Sequence, residues 1–158
     1  DLTSPELAAA IRAGRTTILV PIGGTEQNGP HMVLGKHNVR AKVLVGKIAR
    51  ELGNALVAPV IAYVPEGGVK PPTGHMRYPG TITVPADVYR KVLDSAARSF
   101  RLAGFRDIVF LGDSGGYQKD NVDRAGADAP GGAPPRGARG PAPGSRPGPG
   151  RLPLRGQP

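Results

Sequence analysis

Glu26, His31 and His37 fall within twelve residues, in the run Thr25-Glu26-Gln27-Asn28-Gly29-Pro30-His31 and the following Gly35-Lys36-His37-Asn38. Carboxylate oxygen and imidazole nitrogen are donors that hold zinc or manganese, so a metal or catalytic site is expected here. The preceding Thr17-Ile18-Leu19-Val20-Pro21-Ile22 reads as a buried strand, being short, β-branched and closed by Gly23-Gly24. Side chains just beyond the carboxyl end of such a strand face the crevice where open α/β sheets bind ligands. The same spacing also suits a solvated loop with an incidental histidine.

Two further groups of residues carry chemistry. Gly112-Asp113-Ser114-Gly115-Gly116 follows another strand-like run and fits the Gly-x-Ser-x-Gly nucleophile elbow, which makes Ser114 a candidate nucleophile. An α/β-hydrolase order needs a histidine after that serine, and all three histidines precede it. The same five residues also spell a trypsin-like motif, but that fold is an all-β double barrel and the helical stripes of this chain oppose it. The second group lies in a long loop carrying Glu66, Gly67, Gly68, His75 and Tyr78-Pro79-Gly80-Thr81. Loops of this length in compact domains are more often functional than idle. Read plainly, Glu66 is solvated, His75 bonds to backbone and Tyr78 packs on the sheet edge.

The elements that must position these residues alternate between strand and helix. Ser4-Pro5-Glu6 starts a helix that runs to about Ala13 before Gly14. After the strand at 17–22, Asn38 is placed as the cap of a helix with the apolar face Val39, Val43, Leu44, Ile48 and Leu52, ended by Gly53. Ala55 to Ile61 is strand-like, with Pro59 limiting its place in a sheet. A short strand at 81–84 precedes a helix from Ala86 to Ala103 with the stripe Val88, Val92, Leu93, Ala96 and Phe100. Asp107 to Leu111 is the last strand. This order predicts an α/β domain with a mostly parallel sheet.

The 158 residues are read as an ordered part, 1–120, and a tail, 121–158. From Arg124 onward the chain is almost all Gly, Pro, Ala and Arg, which cannot offset its ordering entropy and is expected to be disordered. Its texture is that of GC-rich DNA read out of frame. The net charge of +9 would ordinarily point to nucleic acid or an anionic membrane. About half of that excess comes from the tail, where six arginines face two aspartates and no aromatic is present for base stacking. No nucleic-acid or membrane partner is therefore expected. The chain has no cysteine, which excludes disulfides and thiolate chemistry. No apolar run approaches the roughly 20 residues of a membrane span. The expected location is the cytoplasm, with export left open because the first residue is Asp1 and the amino end may be cut.

Three ordered blocks, Gly-Gly-Thr-Glu-Gln-Asn-Gly-Pro-His at 23–31, Tyr-Pro-Gly-Thr at 78–81 and Gly-Asp-Ser-Gly-Gly at 112–116, together resemble the creatininase (creatinine amidohydrolase) family. The resemblance covers about residues 1–120. It implies a three-layer α/β/α fold with a mostly parallel sheet, incomplete at the C-terminus of this chain, and a homo-oligomer, frequently a hexamer. It also implies a divalent zinc or manganese cofactor and hydrolysis of a small cyclic amide or formamide.

Carried over residue by residue, Glu26 falls on a family metal ligand. Asn28 stands where the family has a histidine for a second metal, His37 where it has a bridging Asp, and Ser114 where it has a ligand histidine. His31 and His75 match family histidines. A neutral imidazole cannot bridge two ions as a carboxylate does, so a single metal on Glu26 and His37 is expected, with Asp113 or His31 as third ligand. His75 and Tyr78 are expected at the substrate. Backbone N–H groups of Gly115 and Gly116 are placed to hold the oxyanion, and Asp113 and Ser114 complete the catalytic set. Further catalytic residues are expected beyond residue 120, so that weak or absent activity of this chain, or a non-catalytic domain of the same fold, stands beside the hydrolase reading.

Overall fold

The computed structural model describes residues 1–112. Asp113, Ser114, Gly115, Gly116 and the tail at 121–158 lie outside the described residues. Among the described residues three parallel strands form the sheet: β1 (Thr17–Ile22), β2 (Ala55–Val57) and β3 (Asp107–Gly112), in the order β2-β1-β3. Helices α1 (Ser4–Arg12), α2 (Lys36–Leu52) and α3 (Ala86–Ala103) connect and cover them. Successive strand residues point to opposite faces. Ile18 and Val20 pack with Leu7 and Ile11 of α1 and Phe100 of α3, and Ile22 packs with Tyr89 and Leu93 of α3. Leu19 packs on the other face with Val45 and Ala49 of α2. One helical layer therefore lies on each side of the sheet, and the fold is three-layer α/β/α with an open parallel sheet. Among the described residues no helix is long and apolar enough to cross a membrane.

β1 is central and buried along its whole length, as its unbroken apolar run demands. Its pairing with β3 runs from Thr17 opposite Asp107 to Ile22 opposite Gly112. β3 thus reaches the level at which β1 ends.

The elements differ from expectation at four places. The strand at 55–61 stops as β2 at Val57: Ala58 donates the last regular bond, to Leu19 O at 2.9 Å, and the locked φ of Pro59 interrupts the ladder after it. Pairing resumes only where Ile61 donates to the Pro21 carbonyl, 2.9 Å away. The expected strand at 81–84 is reduced to a single bridge between Val64 and Thr83. Its hydroxyls serve the neighbouring loops instead: Thr81 Oγ1 accepts from the Gln27 N–H at 3.1 Å and Thr83 Oγ1 from the Glu66 N–H at 2.9 Å.

The apolar face read for α2 is the third difference. Val39, Val43, Leu44, Ile48 and Leu52 are exposed, and the buried row is His37, Ala41, Val45 and Ala49 at i, i+4 spacing. Val45 and Ala49 of this row pack with Leu19 of β1, so the face turned to the sheet carries the smaller side chains. In α3, likewise, Val88 and Val92 are exposed while Tyr89 and Leu93 are buried.

Asn38 is the fourth. It lies inside α2, which begins two residues earlier, and its side chain caps another segment. Asn38 Oδ1 accepts the Gly24 N–H at 2.9 Å, and Nδ2 donates to Thr25 Oγ1 at 3.1 Å. The first turn of α2 is thereby clamped to the loop leaving β1. The contact leaves no room for a side chain at Gly23, where a Cβ would meet the Asn38 Cα and N at 2.8 and 2.9 Å. Gly23→Ala is expected to destabilise the chain by about 1–3 kcal/mol, the usual cost of overpacking. A denaturant midpoint unchanged from the parent chain would contradict the clamp.

Candidate functional site

The loop leaving β1 carries Glu26 into the protein, and its carboxylate is buried. Two backbone anchors hold it there: the Glu26 N–H donates to Leu34 O at 3.1 Å, and Thr25 Oγ1 donates to Ala62 O at 3.1 Å. The two carboxylate oxygens meet different surroundings. Oε1 accepts from Asn28 Nδ2 at 2.8 Å, lies 2.8 Å from His37 Nε2 and is 4.0 Å from the Lys36 ammonium. Oε2 faces His75 Nε2 at 3.3 Å.

His75 comes from the long loop, in the short 3-10 turn Gly74–Arg77. Its Nδ1 lies 3.0 Å from the Gln27 carbonyl. A carbonyl only accepts, so Nδ1 carries the proton of this bond and Nε2 is the nitrogen turned to Glu26.

Glu66 reaches the same place. The backbone joins it to His75, whose N–H donates to Glu66 O at 3.3 Å. Glu66 Oε1 is buried and has no hydrogen-bond partner among the described residues. It lies over Gly24, where a Cβ would come within 2.7 Å of it. One ligand atom from each of Glu26, Glu66 and His75 falls within 4.8 Å of the others, the spacing of a metal site.

The two carboxyls share this space unequally. Burial acts to raise the Glu26 carboxyl, but hydrogen bonds with Asn28, Glu66 and His37 and the charge of His75 hold it below its ordinary value. Burial, the hydrogen bond with Glu26 and the Glu26 charge push the Glu66 carboxyl from 4.5 up to about 8, with Lys36 opposing. Two carboxylates this close cannot both ionise freely, so near neutrality the metal-free pair keeps one proton. A raised carboxyl favours folding at low pH, and its contribution is lost as pH rises through the folded value. Stability of the metal-free chain is therefore expected to fall between pH 4.5 and about 8. The lowered Glu26 carboxyl acts in the opposite sense below 4.5. Glu66→Gln should flatten the upper decline in denaturant midpoints taken at pH 5 and pH 8. An equal slope in parent and variant would contradict the shared proton.

The structure thus brings Glu26 and His37 together, as the sequence expectation required. His75, expected at the substrate, also touches Glu26. His31 and Tyr78 are exposed and stand outside the Glu26–Glu66–His75 group. Glu66, read plainly as solvated, is the residue that sequence reasoning passed over. Its signal was an acidic residue before Gly67-Gly68 in a loop too long to be idle.

The donor set fits a divalent cation by its chemistry. It offers carboxylate oxygen from two residues, a nitrogen oriented through its own second hydrogen bond, and a buried oxygen otherwise left unpaired.

Residues 1–132 match the family described as Creatininase: creatinine amidohydrolase, and the chain belongs to that family. It is 33% identical over 104 residues to a mycofactocin precursor peptide peptidase of Mycolicibacterium smegmatis, covering 63% of this chain and 39% of that protein. It is 26% identical over 111 residues to a creatinine amidohydrolase of Pseudomonas putida, covering 70% and 42% respectively. The chain therefore spans about two fifths of the length of these relatives. Among solved structures it is similar to a mutant creatininase described as Zn-Zn type, with TM-score 0.61 and 26% identity, and to one titled Creatininase Mn, with TM-score 0.60 and 28% identity. Each similarity covers 71% of this chain and 43% of the other. Family relatives are hydrolases of amide and peptide bonds by their names.

Proposed function

We propose that this chain carries the metal-binding half of an amidohydrolase of the creatininase type, which cleaves a C–N bond of a small cyclic amide or formamide with metal-activated water. The observation that carries the reading is the Glu26 carboxylate, buried at the exit of the central strand with nitrogen donors against both oxygens. Glu26 would hold a zinc or manganese ion, with donor atoms of Glu66 and His75 within 4.8 Å. When bound, such an ion lowers the pKa of water and polarises the amide carbonyl.

The protein's own groups do the rest. Asn28, His37 and Lys36 hold the Glu26 carboxylate ionised and fixed in direction. His75 is half-exposed, so the site opens to solvent on its side and admits substrate there. The N–H groups of Gly115 and Gly116 hold the developing oxyanion and Asp113 completes the catalytic set, while the proton for the leaving nitrogen comes from residues farther along the chain. Gly112 stands opposite Ile22 at the end of the sheet from which Glu26 also departs, and this supports their part in the reaction. Tyr78 and His31, exposed on neighbouring loops, belong to the substrate side of the site. Ser114, placed beside Asp113 in sequence, takes a supporting and not a nucleophilic part. The substrate is a small molecule, and copies of the chain associate, as the resemblance implies.

The purified chain is to be loaded with zinc or manganese and offered creatinine, other cyclic amides, formamides and short peptides, with amine release as the readout. Hydrolysis that disappears in Glu26→Gln is the expected result. Metal bound without turnover of any of these compounds would overturn the hydrolase reading in favour of a non-catalytic domain. Light scattering at assay concentration tests association, and a monomer would contradict it.

A further inference from the structure

Resting on that reading, we infer that the ion is held by Glu26 Oε2, Glu66 and His75 Nε2, and that His37 is a positioning residue that acts through Glu26 without touching the metal. The hydrogen bonds around Glu26 divide its two oxygens into an occupied one and an open one. Oε1 is taken by Asn28 Nδ2 at 2.8 Å and by His37 Nε2 at 2.8 Å, with the Lys36 ammonium 4.0 Å away. A carboxylate accepts, so the His37 nitrogen in this bond is a donor and presents no lone pair to a cation. Oε2 has no such donor among its described hydrogen bonds. It is turned instead to His75.

On the His75 side the proton is committed elsewhere. Nδ1–H is spent on the Gln27 carbonyl at 3.0 Å, so Nε2, 3.3 Å from Glu26 Oε2, is the nitrogen that a cation would engage in place of a proton. An imidazole anchored through one nitrogen to a backbone carbonyl, with the other nitrogen facing a carboxylate, is the arrangement of a metal-ligating histidine. Glu66 adds a carboxylate oxygen to the same gap, and its Oε1 is buried without a hydrogen-bond partner among the described residues. Three acceptor atoms from three separate segments thus converge within 4.8 Å. In the metal-free chain the proton shared by Glu26 and Glu66 eases only the contact between the two carboxyls, and a positive centre between the three atoms replaces it and serves His75 as well. A divalent cation satisfies all three at once, and two carboxylates neutralise its charge.

This arrangement also answers the sequence. His37 stands where a bridging carboxylate is expected, and the second carboxylate that the ion loses there is returned by Glu66 from the long loop. His37 keeps the carboxylate it touches in place.

The test is calorimetric titration of the full chain with Zn²⁺ and with Mn²⁺, paired with thermal melts to confirm folding. Glu66→Gln and His75→Gln are each expected to weaken binding by more than about a hundredfold, beyond the 10–100-fold typical of outer-shell partners. His37→Gln should weaken it by about tenfold and keep one ion per chain. Where a variant fails to fold, the parent chain loaded with Co²⁺ serves instead. A ligating His75 gives a paramagnetically shifted Nδ1–H proton resonance, and no second shifted imidazole is expected from His37.

Loss of binding in His37→Gln with binding retained in His75→Gln would overturn the assignment, as would a chain that takes up neither metal. A chain that binds through these three residues yet hydrolyses no amide leaves the assignment standing and overturns only the hydrolase reading.

Discussion

Glu26→Gln is expected to abolish metal-dependent hydrolysis and to lower metal affinity by more than about a hundredfold, the largest functional effect of any single substitution in this chain. Glutamine keeps the size of glutamate and can still meet Asn28, so the fold is expected to survive. It removes the charge that a cation needs. It also replaces one acceptor oxygen with an N–H₂ donor, which presents a proton instead of a lone pair to the gap shared with Glu66 and His75. The Glu66 carboxyl should then fall from about 8, because two of its three raising causes come from Glu26. Burial alone remains to hold it up. Calorimetric titration with Zn²⁺ measures the first effect, and NMR titration of the Glu66 side chain in the metal-free variant measures the second. Undiminished metal uptake in Glu26→Gln would remove the centre from the site.

The largest expected effect on stability belongs to Tyr89→Ala, at about 3–5 kcal/mol. Tyr89 is fully buried, and it packs with Ile22, Val64 and Leu93 beneath the end of β1. Removing the ring leaves a cavity that its neighbours fill only in part, since Ile22 is held by the sheet and Val64 by its bridge region to Thr83. The loss is not confined to stability. Ile22 and Val64 each lie a few residues before a carboxylate of the site, Glu26 and Glu66 respectively, so slack in this cluster reaches both. Tyr89→Ala should therefore unfold at markedly lower denaturant and, where still folded, bind metal less tightly. Tyr89→Phe, which keeps the ring, should lose much less. Equal midpoints for the alanine variant and the parent would show that this cluster does not hold α3 to the sheet.

Much of the scaffold was legible in the order of residues because its signals are local. β1 follows from an unbroken β-branched run closed by two glycines, and every one of its residues is buried. The ends of α2 and α3 follow from Gly53 and Gly104, which take positive φ values of 73° and 110° that other residues resist. Glu26 comes just after β1, so its delivery to the mouth of the sheet required no knowledge of distant contacts.

The buried face of α2 was not legible. Val39, Val43 and Leu44 outrank Ala41 and Ala49 in hydrophobicity, yet it is the row with the small residues that packs on Leu19 of β1 and Ala55 of β2. That choice depends on the shape of a partner surface 20 or more residues away in sequence.

The chain's local pattern by itself determined that a carboxylate and an imidazole would meet where the central strand ends, since both sit within a turn or two of elements whose periodicity and glycine stops are self-contained. Only the tertiary structure decided which donors complete the group. Glu66 and His75 arrive there because Thr83 holds one loop, the Gln27 carbonyl holds the His75 ring 48 positions away, and Thr81 holds Gln27. Hydrogen bonds of such sequence separation form only after the layers have packed, and nothing in the spacing of the residues announces them.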